Sequence, residues 1–286
     1  MKEKRHYQIS DFRAPGSTFE ENMIAVDDRV QIRVSTFQPA RPSNNPPVLF
    51  IAGWISLPTS WKAVLSEITR DFTVHYVETR EKISSIVKGK VDYGIEAIGA
   101  DILKLVEHFK LEDKKYIMFG SSLGATAILD CCRFANPAPL CLVLVGPNAE
   151  FRVPRWGYYF VKAMPPSFYL MFKPFVKWYL KNFRLNIESD YEQYVKYCQA
   201  LDAANPWKLK KAMLQLSKYQ VWDILEEIDI PTLIAGASED KLHEPENLKK
   251  IVAKMNNATY IDLGTNARTH EAVMVEEMRA YLKTLT

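Results

Sequence analysis

Between residues 48 and 146 the chain alternates short, wholly apolar runs with segments of helical periodicity, and that alternation leaves few folds open. VLFIAG (48–53), FTVHYVE (72–78), KKYIMFG (114–120) and LCLVLVG (140–146) are short and rich in β-branched or aromatic residues. Such runs read as strands buried on both faces of a sheet. Between them, residues 57–70 and 123–134 read as helices. Ile95, Ile98, Ile102, Leu105, Val106 and Phe109 mark a third by sharing one helical face. Strand, helix, strand in series predicts a parallel sheet covered by helices. An antiparallel hairpin over 19–38, turning at Asp27-Asp28, precedes it.

The alternation lapses after Phe151. To about Tyr219 there is no strand-like run, and Pro154, Pro165, Pro166, Pro174 and Pro206 break up helical, aromatic segments. It resumes with PTLIAG (231–236), a helix from about Glu246 to Met255, the strand ATYIDLG (258–264) and a last helix whose Val275, Met278 and Leu282 share a face. The expected fold class is α/β: a mostly parallel central sheet flanked by helices, with a helical cap inserted after about strand 6. The core then comprises residues 1–150 and 223–286, and the cap residues 151–222. An insertion there overlies the carboxyl edge of the sheet, where open α/β sheets bind ligands.

With 286 residues, 48% hydrophobic and 25% charged, the chain can bury one large core. A net charge of +3 is too mild for a nucleic-acid partner, and no zinc-finger or RNA-binding signature occurs. Cys131, Cys132, Cys141 and Cys198 form no CxxC pair and no metal-ligand spacing, so they read as reduced core thiols and no metal is expected. The charged start MKEKRHYQISDFRAPG has no apolar stretch of a secretory signal, and no run of about eighteen apolar residues exists. A cytoplasmic location is the expectation.

FGSSLGA (119–125) lies where a strand passes into a helix. Gly120, Ser122 and Gly124 satisfy G-x-S-x-G, the pattern of a nucleophile on a turn so tight that side chains two before and two after it collide. The alternative is a Gly-rich turn that binds phosphate, but P-loop and dinucleotide spacings are absent. A serine needs a base, and the base needs an orienting group. Of five His, His6 is in the charged tail, His75 in a strand, His108 on a polar helix side and His243 in a polar loop. His270 follows the last strand in LGTNARTHEAV and is the candidate base. PTLIAGASED offers Asp240 or Glu239 as the orienting acid, with Asp240 favoured because it leads towards the helix opened by Pro245-Glu246.

The order Ser, acid, His resembles that of the α/β-hydrolase superfamily, and the likeness spans nearly the whole chain. FIAGWISLPTSW looks like the segment after the third strand in esterases and cofactor-free haloperoxidases of that fold. FGSSLGA looks like the elbow, PTLIAGASED like the acid strand and RTHEAV like the His loop. The resemblance implies a serine hydrolase without a cofactor that acts on a small-molecule ester or thioester. It also implies that the backbone N–H groups of Trp54 and Leu123 form an oxyanion hole. Alternatives are an acyltransferase, perhydrolase or C–C bond hydrolase with the same triad, or a ligand-binding or scaffolding protein on the same fold. Two departures stand out. Ala52 occupies the place of the usual His before Gly53, and the acid loop is one residue longer than the commonest spacing from Gly236, which keeps Glu239 open.

Residues 151–187 carry seven Lys or Arg and no Asp or Glu, so the rest of this +3 chain sums to −4. The stretch also holds Trp156, Phe175, Trp178 and many other aromatics. Such a cap can line an apolar acyl pocket on its inner face. Its outer face admits weak peripheral contact with an anionic membrane, although the prolines argue against a long amphipathic helix.

Overall fold

The computed structural model describes residues 8–111, 115–151, 153–185, 187–188, 191–240 and 245–285. His6, Arg152 and His243 lie outside them. The strands are β1 (Thr18–Asp27), β2 (Val30–Gln38), β3 (Val48–Ile51), β4 (Val74–Val77), β5 (Ile86–Val87), β6 (Ile117–Ser121), β7 (Cys141–Val145), β8 (Thr232–Gly236) and β9 (Ala258–Asp262). They form one sheet in the order β1-β2-β4-β3-β6-β7-β8-β9, with β5 pairing against β2. The β1–β2 and β2–β4 pairs are antiparallel, and every pair from β4 through β9 along that order is parallel. This is an α/β fold with a mostly parallel sheet. The two-residue β5 is too short to show in the sequence pattern.

Period-two alternation sends each strand's side chains to opposite faces. Leu49, Ile51, Met118 and Leu144 join one apolar cluster with α2 (Ile95–His108) and α3 (Leu123–Cys131). Val48, Phe50, Phe119 and Val143 join another with α1 (Lys62–Ile68) and α9 (Ala272–Thr284). Burial of each such side chain contributes about 1.5–3 kcal/mol, which makes these two layers the main source of stability. At the far end α8 (Pro245–Lys254) adds Leu248 and Ile251 to the first layer.

Among the described residues between β7 and β8 are the α-helices α4 (Arg155–Ala163), α5 (Phe168–Tyr179), α6 (Tyr191–Ala203) and α7 (Pro206–Leu216). The base of this insertion is closed by a bridge between Glu150 and Gln220 and by Val221 N–H donating to Ala149 O at 2.8 Å. Pro165 and Pro166 separate α4 from α5. Pro174, however, sits inside α5 without ending it. Its missing N–H leaves the Leu170 carbonyl on an exposed face, where water can satisfy it.

Candidate active site

The loops that follow β3, β6, β7, β8 and β9 all leave the same edge of the sheet, because these strands run parallel. At the end of β6 the backbone turns at Ser122 with φ 47° and ψ −113°, a conformation costly for any residue with a Cβ. The two flanking glycines explain how the turn closes. A Cβ on Gly120 would come within 2.7 Å of Ala125 Cα, and one on Gly124 would overlap the Ile51 carbonyl oxygen of the neighbouring strand. Ser122 N–H donates to Val145 O at 2.8 Å and ties the turn to β7. Helix α3 starts directly behind it, so the positive end of that helix and its unpaired first-turn N–H groups, Leu123 N–H included, face the serine.

A cavity of about 300 Å³ collects the residues singled out in the sequence. Ser122, Asp240, His270 and Trp54 all line it. Glu239 does not; it is exposed, and its N–H donates to Gly264 O at 2.9 Å. Asp240 is buried, and its Oδ2 accepts from the Asn266 side-chain amide at 2.7 Å. His270 Nδ1 lies 3.0 Å from the Asn266 carbonyl oxygen and 2.9 Å from Thr269 Oγ1. A carbonyl can only accept, so the network assigns the proton to Nδ1 and leaves Nε2 with its lone pair, as a base requires. Asn266 thus touches both the acid and the imidazole.

Two further residues were not singled out in the sequence. Asn148, just past β7, donates its side-chain amide to Ser122 Oγ at 3.0 Å, while Thr126 Oγ1 fixes its backbone N–H and carbonyl at 3.0 and 2.9 Å. In that contact Oγ is the acceptor. The signal for Asn148 was its place at the carboxyl end of a central strand. Trp61, fully buried, packs at a tilt against the His270 ring with centroids 4.2 Å apart and donates Nε1–H to Ser56 Oγ at 3.1 Å.

The loop after β3 is held from an unexpected direction. Lys82 is buried, and its Nζ donates to Gly53 O at 2.6 Å and Ser56 O at 2.7 Å, one carbonyl on each side of Trp54 and Ile55. Between those anchors Ile55 has φ 49°, a strained value for a β-branched residue. Burial pushes the Lys82 ammonium below its ordinary pKa, and Glu81 and Glu78 oppose that shift. Where Ala52 leaves no side chain to brace the loop, Lys82 braces it. Lys208 of α7 extends the arrangement: its Nζ donates to the Lys82 and Ser85 carbonyls at 2.7 and 2.8 Å, and desolvation lowers its pKa to about 8. Trp54 N–H, between the two anchors, has no hydrogen-bond partner among the described residues.

No protein-family model and no curated protein sequence matches the chain. Solved structures do. A hydrolase from Pseudomonas aeruginosa superposes with a TM-score of 0.73 at 17% identity, over 93% of this chain and 98% of that one. A thermophilic esterase from Thermogutta terrifontis gives 0.72 at 21% identity, over 94% and 99%. The enol-lactonase from Burkholderia xenovorans gives 0.70 at 15%, over 91% and 97%. The chain has the α/β-hydrolase fold.

On this α/β-hydrolase fold a second cavity, of about 350 Å³, opens beside the first. The two share Trp54, Ile55, Val176 and Leu201 as walls. Its lining is almost wholly apolar and comes mainly from the insertion, including Phe160, Phe168 and Phe172, whose rings pack at centroid distances of 4.7–6.1 Å.

Proposed function

We propose that the protein is a serine hydrolase that cleaves a carboxylic ester or thioester with a lipophilic acyl or aromatic group, through an acyl-enzyme on Ser122. The observation that carries this reading is the strained turn at Ser122, which opens on a cavity also lined by His270 and Asp240. His270 Nε2 takes the hydroxyl proton as Oγ attacks the substrate carbonyl carbon. The resulting oxyanion is stabilised by the N–H groups of Trp54 and Leu123, worth a few kcal/mol each in a site of this kind. Collapse of the tetrahedral intermediate expels the alcohol or thiol, which receives that proton from His270. Water, deprotonated by the same imidazole, then releases the acid. Asp240 stabilises the charged imidazolium and holds Asn266, the Nδ1 partner. The insertion acts as a cap, and its apolar cavity takes the acyl group.

Intact-mass measurement with a fluorophosphonate tests the reading. One covalent adduct is expected on the native chain and none on Ser122→Ala. A folded native chain that stays unlabelled would contradict it.

A further inference from the structure

The insertion leaves its outer side bare. No residue of α4 or α5 is fully buried. Trp156 is 76% exposed, Phe175 56%, Trp178 51% and Phe183 61%. Met171, Phe175 and Trp178 recur at helical spacing along one face of α5, so this is an organised apolar face and not scattered residues. Ring contacts connect it with the second cavity. Phe172 lines that cavity and lies 6.0 Å from Phe175, which lies 5.6 Å from Trp178, which lies 5.4 Å from Phe183.

Charge decides what covers this face. The segment from 151 to 187 has seven cationic residues and no anionic one. Lys173 and Lys177 are satisfied internally by Asp202, at 2.9 and 2.7 Å. Arg155, Lys162 and Lys181 are exposed and have no ion pair among the described residues. A second copy docked through the same face would set these cations against their own equivalents. An anionic surface neutralises them instead, and exposed Trp, Tyr and Lys suit the headgroup layer of a bilayer. No helix among the described residues is long and apolar enough to cross a membrane, so the contact is peripheral.

We infer that α4, α5 and the turn after them form a docking face for an anionic lipid bilayer, from which lipophilic esters enter the apolar cavity along the aromatic series from Phe183 to Phe172. The docking itself needs no turnover. Only the route of entry rests on the proposed ester reaction.

The test is co-sedimentation of the full chain with phosphatidylcholine vesicles, with and without phosphatidylglycerol, at low and high salt. Binding is expected only with phosphatidylglycerol and should weaken as salt screens the cations. The double variant Phe175→Glu/Trp178→Glu, on residues that line neither cavity, should lose roughly tenfold or more of that binding. Phe134→Glu, an equally exposed aromatic on the core, should keep it. Ser122→Ala should bind like the native chain, which separates docking from catalysis: a native chain that binds vesicles yet takes no fluorophosphonate label tells against the ester reading alone. A native chain that stays in the supernatant overturns the docking face, whether the aromatic face then proves to hold a second copy or another protein. Equal binding by the double variant overturns it too.

Discussion

Helix α3 starts directly behind Ser122 and α5 lends Val176 to the cavity that holds it, yet the two are built in opposite ways. Every residue of α3 is buried, and its first turn is set by contacts with no spare room, such as Gly124 against the Ile51 carbonyl. No residue of α5 is buried, and half of its aromatic side chains look outward. The difference separates two tasks. On the proposed function, the sheet edge fixes the reacting groups by steric exclusion and buried hydrogen bonds. On the same proposal, the insertion offers adaptable apolar surface that selects and delivers a substrate and does not need one rigid geometry.

If that division holds, the largest losses come from the sheet edge. Ser122→Ala and His270→Ala should each lower kcat by about four to six orders of magnitude, and the double variant no further, because the groups act as a unit. Additive losses in steady-state kinetics would show that the two do not share one step. Asp240→Asn should lower kcat by about a thousandfold, because the imidazolium loses its carboxylate and Asn266 loses the charged acceptor that holds it, while Glu239→Gln should stay within about twofold. The reverse ranking would move the acid to Glu239.

Lys82→Met sharpens the comparison within the sheet edge. Without its ammonium, the Gly53 and Ser56 carbonyls lose their buried donor, and Ile55 can relax from φ 49°. A tenfold to hundredfold fall in kcat with KM nearly unchanged is expected, on the order of removing one oxyanion donor or less. A rise in KM alone would mean that Lys82 shapes the pocket and not the loop.

The smallest effect concerns the joint between the two regions. Lys208 has a docked pKa of about 8 against an ordinary 10.5. Between those values the undocked or unfolded state binds more protons, so stability rises with pH across that window. Because Lys208 is only half-buried, solvent discounts the gain, and a change of a few degrees in Tm is the scale expected. Thermal melts of the native chain and Lys208→Met should therefore diverge in the native chain's favour from pH 8 to 10. Parallel curves would show that Lys208 does not carry the pH dependence.

The two regions also differed in how far the sequence disclosed them. The strands, helices and elbow were legible because burial on both faces forces continuous apolar runs, and a tight turn forces glycine at Gly120 and Gly124. The Lys82 brace was not legible. Its acceptors are backbone carbonyls, which carry no side-chain signature, and they lie 26 and more positions away in the sequence. Asn148 and Trp61 were missed for a similar reason, since each acts through a partner brought close only by the sheet. In the insertion, composition displayed the aromatics and cations plainly. It did not display their sides, because Pro174 argued for a break where α5 runs on.

The central claim is the division of labour itself, and substrate selectivity measures it most directly. Rates for p-nitrophenyl acetate and p-nitrophenyl octanoate are compared in the native chain, in Lys82→Met and in Phe172→Ala, whose ring lines the apolar cavity. The account predicts that the native chain prefers octanoate and that Lys82→Met lowers kcat/KM for both esters by the same factor. Phe172→Ala should lower it for octanoate by about tenfold and leave acetate nearly unchanged, as expected for lost apolar contact. A native preference for acetate, or a Phe172→Ala variant that loses both activities equally, would contradict it.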